Sequence, residues 1–108
     1  MAEEKITAGS GNVFADLGLP DAEEHLLKAG LVMKLDQVIR ARGLNQTAAA
    51  KLTGVSQPDL SRLLRGRFRD MSADRLIRAL TRLDTEVQIS VTRQGKPVGE
   101  PIHLHAAA

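Results

Sequence analysis

The side chains best suited to do chemistry are concentrated between residues 57 and 62. Gln57 can pair bidentately with adenine and Arg62 with guanine, while the carboxylate of Asp59 can accept a hydrogen bond from cytosine. These three residue types within six positions predict direct contact with the base edges of double-stranded DNA. Asp59 has an alternative role, because a carboxylate that meets no base donor repels phosphate and instead stabilises the N-terminus of its own helix.

Basic residues surround this window. Residues 40–69 carry seven Lys or Arg against one Asp, a net charge of +6, whereas residues 1–39 carry −4. Such a patch is typical of a protein that binds a polyanion, although charge alone would also fit a solvated face without a partner. Phosphate contacts position a protein on DNA without specifying sequence. We expect them from Lys51, Arg65, Arg67 and Arg69.

Two short helices joined by a tight turn must position these residues. Asn45 is a favourable N-cap for a helix over residues 46–52, and Ser56 is one for a second helix over residues 57–64. Gly54 lies between them and can adopt the left-handed backbone conformation that a tight turn requires. The pattern predicts a helix-turn-helix, whose second helix presents its N-terminal residues to the major groove.

Three motifs in this stretch carry a family resemblance: QTAAA at 46–50, GVSQ at 54–57 and LSRL at 60–63. Together they resemble the XRE family, the helix-turn-helix of lambda-type phage repressors and Cro. The resemblance implies a compact bundle of four to five helices that binds palindromic operators as a dimer. It also implies that Gln46 contacts a phosphate and braces Gln57, which reads a base edge. By the same resemblance the groove-facing surface comprises Ser56, Gln57, Pro58, Asp59, Ser61 and Arg62.

The flanking segments predict two more helices and a change to extended structure. Asp21 caps a long helix over residues 21–42, and Ser72 caps a later one with its own apolar face. Inward positions on the long helix are predicted at Leu26, Leu27, Leu31, Leu35, Val38 and Ile39. Alternating residues then predict a strand over 86–93, with a second, weaker strand over 98–104. The fold class is therefore mainly α, a lambda-repressor-like bundle of four to five helices with a C-terminal β-strand or hairpin.

Three segments follow from this pattern: a flexible N-terminal arm (1–20), a helix-turn-helix DNA-binding domain (21–84) and a C-terminal strand or hairpin (85–105). The arm can dock on a partner or on the body of the domain. A single hairpin is marginal alone, so the strand needs support. It can pair with the same strand of a second chain and close a two-fold dimer, or pair within its own chain, or do both.

Other function classes are disfavoured by what the chain lacks. It has no Cys and only two aromatic residues, which argues against thiol chemistry and against base stacking on single strands. His103 and His105 would share one face of a strand, but two ligands make a weak metal site. We find no catalytic motif and expect no enzyme, cofactor or metal. Without a signal peptide or an apolar run of membrane-spanning length, a cytoplasmic protein is expected.

The leading hypothesis is a sequence-specific transcriptional regulator, a repressor that reads a palindromic operator as a homodimer with residues 57–64 in the major groove. A second, compatible hypothesis rests on the acidic segment that precedes the motif and on the strand that follows it. These flanks resemble XRE-type regulators paired with HigB/RelE-like toxins, which implies an antitoxin that binds its toxin and autoregulates its operon. A third is a protein-interaction module with a vestigial motif.

Overall fold

The computed structural model describes residues 21–106, which form a helical body followed by a small hairpin. The helices are α1 (Asp21–Ala41), α2 (Gln46–Thr53), α3 (Gln57–Leu64) and α4 (Ala73–Thr81). The strands are β1 (Val87–Ile89), β2 (Thr92–Arg93), β3 (Lys96–Pro97) and β4 (Ile102–Leu104). The predicted fold class is confirmed, and the proposed arm over residues 1–20 lies outside the described residues.

Short polar side chains start the last three helices where the sequence predicts. The side chain of Asn45 accepts a hydrogen bond from the Ala48 amide at 2.8 Å. Ser56 and Ser72 cap α3 and α4 in the same way, at 3.2 and 3.1 Å. Each cap satisfies one of the amides that a helix leaves without an internal partner, so the helix boundaries are set locally by the sequence.

A single aliphatic cluster holds the four helices together. Its largest fully buried side chains are Leu35, Leu60, Leu63, Leu76 and Leu83. α1 and α4 pack most extensively against each other, and α2 and α3 pack on the surface that they form. Burying a leucine stabilises a fold by about 1.5–3 kcal/mol. Compact leucines therefore provide a core with almost no aromatic residues.

The inward face predicted for α1 is wrong in its first half. Leu26 is 70% exposed and Leu27 is 38% exposed, although Leu35 and Ile39 are buried as predicted. The buried stripe begins instead with Lys28, which is followed by further buried residues at helical spacing. Leu26 and Leu27 recur at helical spacing with the buried residues, but they lie on a neighbouring stripe of the helix. Periodicity alone does not distinguish the two stripes.

The C-terminal strands pair within the chain. β1 and β4 are antiparallel with Ile89 opposite Ile102, and β2 and β3 are antiparallel with Thr92 opposite Pro97. Between these ladders the outgoing strand has residues 90–91 and the returning strand has residues 98–101. The two extra residues on the returning strand interrupt the pairing, and Pro101 has no amide hydrogen to donate. The single strand predicted over residues 86–93 is therefore wrong, and two short strands take its place.

Two glycines are expected to respond oppositely to alanine. Gly54 has φ of +78°, and a Cβ there would lie 2.8 Å from Nη1 of Arg82, so Gly54→Ala should lower the free energy of unfolding by about 1–2 kcal/mol. Gly30 lies inside α1, with nothing within 4 Å of a Cβ. Gly30→Ala should raise the free energy of unfolding by up to about 1 kcal/mol. Urea denaturation of both variants tests this, and equal stabilities would contradict the assigned turn.

Candidate nucleic-acid interface

The angle between α2 and α3 is fixed by a buried turn. Thr53 is buried, and its hydroxyl donates to the Ala49 carbonyl at 2.8 Å and accepts from the Val55 amide at 3.3 Å. Val55 is 3% exposed and belongs to the same buried cluster as Ala49 of α2 and Leu60 of α3. Since Ala49 is completely buried, the helices approach closely, and α3 has little freedom to turn about its axis.

The residues predicted to bind DNA lie around this pair of helices. Gln46 begins α2 and Lys51 is in its last turn, both exposed. α3 carries the proposed base-contacting residues, with Gln57, Pro58 and Arg62 exposed and Asp59 and Ser61 half-buried. The remaining positions flank α3 as its N-cap Ser56, its C-cap Arg65 and, just beyond, Arg67. The fold thus gathers ten of the eleven predicted residues on α2, α3 and their immediate flanks, and the eleventh, Arg69, is exposed further along the loop after α3.

The side chain of Thr47 forms a hydrogen bond with that of Gln57. Among the described residues, no hydrogen bond joins Gln46 to Gln57. The Thr47 hydroxyl donates to Oε1 of Gln57 over 3.4 Å. The family resemblance implies that Gln46 supports Gln57 in this way. The Thr47 hydroxyl, one residue further into α2, makes the contact instead. It uses the oxygen of the Gln57 amide and not its NH₂ group. Thr47 was not singled out from the sequence, because its proximity to Gln57 depends on the crossing of the two helices.

Asp59 and Arg62 form an ion pair on the surface of α3. They are three residues apart on one helix, a spacing that brings side chains together. Both are partly exposed, so the pair contributes at most about 1 kcal/mol and can be exchanged for another partner. Asp59 lies in the first turn of α3, where a carboxylate stabilises the helix N-terminus, and it also contacts the Arg62 guanidinium.

The loop that follows α3 is anchored to α1. Nζ of Lys28 donates to the Arg69 carbonyl at 3.0 Å and lies 3.5 Å from a carboxylate oxygen of Glu24. The rings of His25 and Phe68 stack with centroids 4.9 Å apart. Lys28 is only 8% exposed, so this amine joins the two segments beneath the surface. Sequence reasoning did not identify Lys28, since a buried lysine gives no local signal.

The hairpin histidines take part in a different interaction. Nδ1 of His103 lies 2.6 Å from a carboxylate oxygen of Glu86. Hydrogen bonds from His103 and then from Gln88 hold the pKa of the Glu86 carboxyl below its usual range. Within residues 21–106 no group of three or more side chains is placed to hold a metal ion, and no helix is long and apolar enough to cross a membrane.

Comparison with known proteins assigns the arrangement of α2 and α3 to a family. A family model described as a helix-turn-helix domain matches residues 13–92. A solved structure named as a candidate XRE-family transcriptional regulator is 35% identical, with a TM-score of 0.66, and the match covers 82% of this chain and all of that one. The chain belongs to the XRE-type helix-turn-helix family. No curated protein matches it.

As an XRE-type helix-turn-helix protein, the chain is a DNA-binding protein, since this motif places its second helix in the major groove of a duplex. The family model extends over the whole helical body and into the first strands. The family resemblance drawn from QTAAA, GVSQ and LSRL is thus confirmed at the level of the XRE-type motif.

Proposed function

We propose that this XRE-type protein is a transcriptional repressor that reads a palindromic operator as a homodimer. The exposed polar residues of α3 carry the proposal, because Gln57 on one flank contacts Thr47 and Arg62 on the other contacts Asp59. Amide and guanidinium groups are the side chains that pair bidentately with adenine and guanine in the major groove. Lys51, Arg65 and Arg67 surround this side and supply phosphate contacts.

Dimer formation is supported by an apolar face on the hairpin. Ile89 lies opposite Ile102 in the ladder between β1 and β4, and Val91 and Val98 form the next apolar pair toward the tip of the hairpin. The amide of Val98 donates to the Val91 carbonyl at 2.8 Å. All four are large apolar side chains, and each is 40–53% exposed. A second copy of the chain is the partner that fits such a face, because in a two-fold dimer the same apolar surface of each chain covers that of the other.

A two-fold axis at this face would give the operator its symmetry. Each chain presents a single copy of α3, which can read one half-site. Two copies related by a two-fold axis place their recognition helices in successive major grooves, about 34 Å apart on one side of the duplex. The hairpin therefore determines the spacing of the half-sites, while α3 determines their sequence.

The operator proposal predicts two different responses to loss of positive charge. Arg62→Ala should cost about 1–3 kcal/mol on the operator and relax the preference for one base pair. Lys51→Ala should weaken binding to all sequences alike and reduce the salt slope by about one. Fluorescence anisotropy with the chain's own promoter and with a scrambled duplex measures both. If neither variant changes binding, α3 does not enter the groove.

The dimer proposal predicts that Val98→Glu converts the protein to monomers. A carboxylate on this face would have to be desolvated against its symmetry mate in the dimer, whereas it remains hydrated in the monomer. Thr92→Glu is the matched control, because Thr92 lies on the other face of the same hairpin. Sedimentation equilibrium should show a dimer for the wild type and for the control. A dimeric Val98→Glu protein would place the interface elsewhere.

The antitoxin hypothesis remains a second proposal, favoured by an exposed apolar stripe on α1. Leu26 and Met33 are 70% and 62% exposed, and Gly30 lies between them at helical spacing. Residues 1–39 carry a net charge of −4, which complements a basic RNase-like toxin.

The antitoxin proposal predicts that the product of the neighbouring reading frame co-purifies with the wild type and not with a Leu26→Glu/Met33→Glu variant. Glutamates on the stripe would have to lose their hydration against the toxin, whereas the DNA-binding surface is untouched. Operator affinity of the variant should therefore be unchanged. Absence of any complex between wild type and toxin would exclude this reading.

A further inference from the structure

We propose that α4 provides a second phosphate-binding surface, which continues the basic surface of α3 past the turn between α2 and α3. Its residues are Arg75, Arg78 and Arg82, which we term the arginine edge. The inference rests on the proposed entry of α3 into the major groove, and it adds α4 to the elements that contact the DNA backbone.

The arginine edge runs along one face of α4 and ends at the C-cap of this helix, Arg82. Its members follow one another at intervals of three and four residues, the spacing that aligns side chains along a helix. All three are exposed. Nη1 of Arg82 lies over the turn between α2 and α3, close enough that a Cβ on Gly54 would be 2.8 Å away. The edge thus reaches the point from which α3 begins.

Two hollows connect the arginine edge with the helix-turn-helix. One of about 190 Å³ lies between the turn, Thr53 to Val55, and the three arginines. The other, of about 420 Å³, is bounded by Asp59 and Arg62 of α3, by the loop that follows, and by Arg75. Because Arg75 borders both hollows, the basic surface is continuous from α3 to the end of α4.

The two flanks of α3 face different neighbours. Gln57 is contacted from α2, whereas Asp59 and Arg62 border the hollow that reaches Arg75 of α4. Successive residues on a helix are rotated by about 100°, so Gln57 and Asp59 project from nearly opposite sides of α3. A helix lying in a groove has one phosphate strand on each flank. We infer that the arginine edge, beginning at Arg75, meets the phosphate strand on the flank of α3 that carries Asp59 and Arg62.

The charges on α4 favour a polyanion as the partner. Among the described residues Arg78 pairs with Asp74 at 2.9 Å, while Arg75 and Arg82 form no ion pair. A guanidinium binds phosphate oxygens through two parallel hydrogen bonds, and it does so more effectively than an ammonium group. An acidic protein segment would also be attracted, but the continuity of this surface with the groove-facing side of α3 favours the DNA backbone.

The test is the salt dependence of binding to a labelled duplex of about 30 base pairs with random sequence, since phosphate contacts do not need an operator. We compare the wild type with Arg75→Ala/Arg82→Ala. The control is Lys34→Ala/Arg93→Ala, which removes the same charge from α1 and the hairpin. A variant with both arginines changed to lysine retains the charge. Thermal unfolding of each protein establishes that it is folded.

The arginine-to-alanine variant should lower the magnitude of the salt slope by about two and the affinity at ~0.1 M salt roughly tenfold. The control should keep the wild-type slope, and the lysine variant should keep most of it. A wild-type slope in the arginine-to-alanine variant overturns the proposal. So does an equal loss in the lysine variant, which would indicate a structural role, or an equal loss in the control, which would indicate net charge alone. A wild type that fails to bind any duplex would instead refute the proposed function.

Discussion

The contact on which the whole arrangement depends is the burial of the turn between α2 and α3. Val55 and Thr53 are enclosed there, and the fully buried leucines of α3 continue the same cluster into the body of the protein. Because an aliphatic core is close-packed, a rotation of α3 would open voids on one side and create clashes on the other. The orientation of its polar side is therefore a consequence of what its apolar side touches.

Local signals in the sequence predicted most of the helical body. Asn45, Ser56 and Ser72 were identified as caps because their hydrogen bonds reach only three residues ahead. The errors lie where the outcome depends on distant residues. Leu26 matched an inward stripe but is exposed, since the core accepts the stem of Lys28 at a neighbouring position.

The interface was predictable to a similar extent. Gln57, Asp59 and Arg62 were recognised from their chemistry and from their place on one short helix. Thr47 and the arginines of α4 were missed, because their placement depends on helix packing. This packing brings Thr47 to Gln57 and the arginines to the turn between α2 and α3. The hairpin shows the same limit: alternation revealed extended structure, whereas the interrupted ladder depends on how many residues the returning strand contains. Sequence spacing predicts which residues are neighbours within one helix or strand, whereas tertiary packing determines which residues of different elements are neighbours.

The bond between Lys28 and Arg69 has a thermodynamic consequence, because it joins residues 41 positions apart in the chain. The first turns of α1 and the loop behind α3 share one buried amine, so neither can be displaced without disturbing the other. Coupling free energies are reciprocal. Under the proposed function, a ligand that draws Lys28 away from the Arg69 carbonyl and thereby displaces the loop would weaken the phosphate contacts proposed for that loop, and DNA would weaken binding of that ligand by the same factor. The helix before the motif therefore provides a physical route by which an event remote from the groove could change operator occupancy.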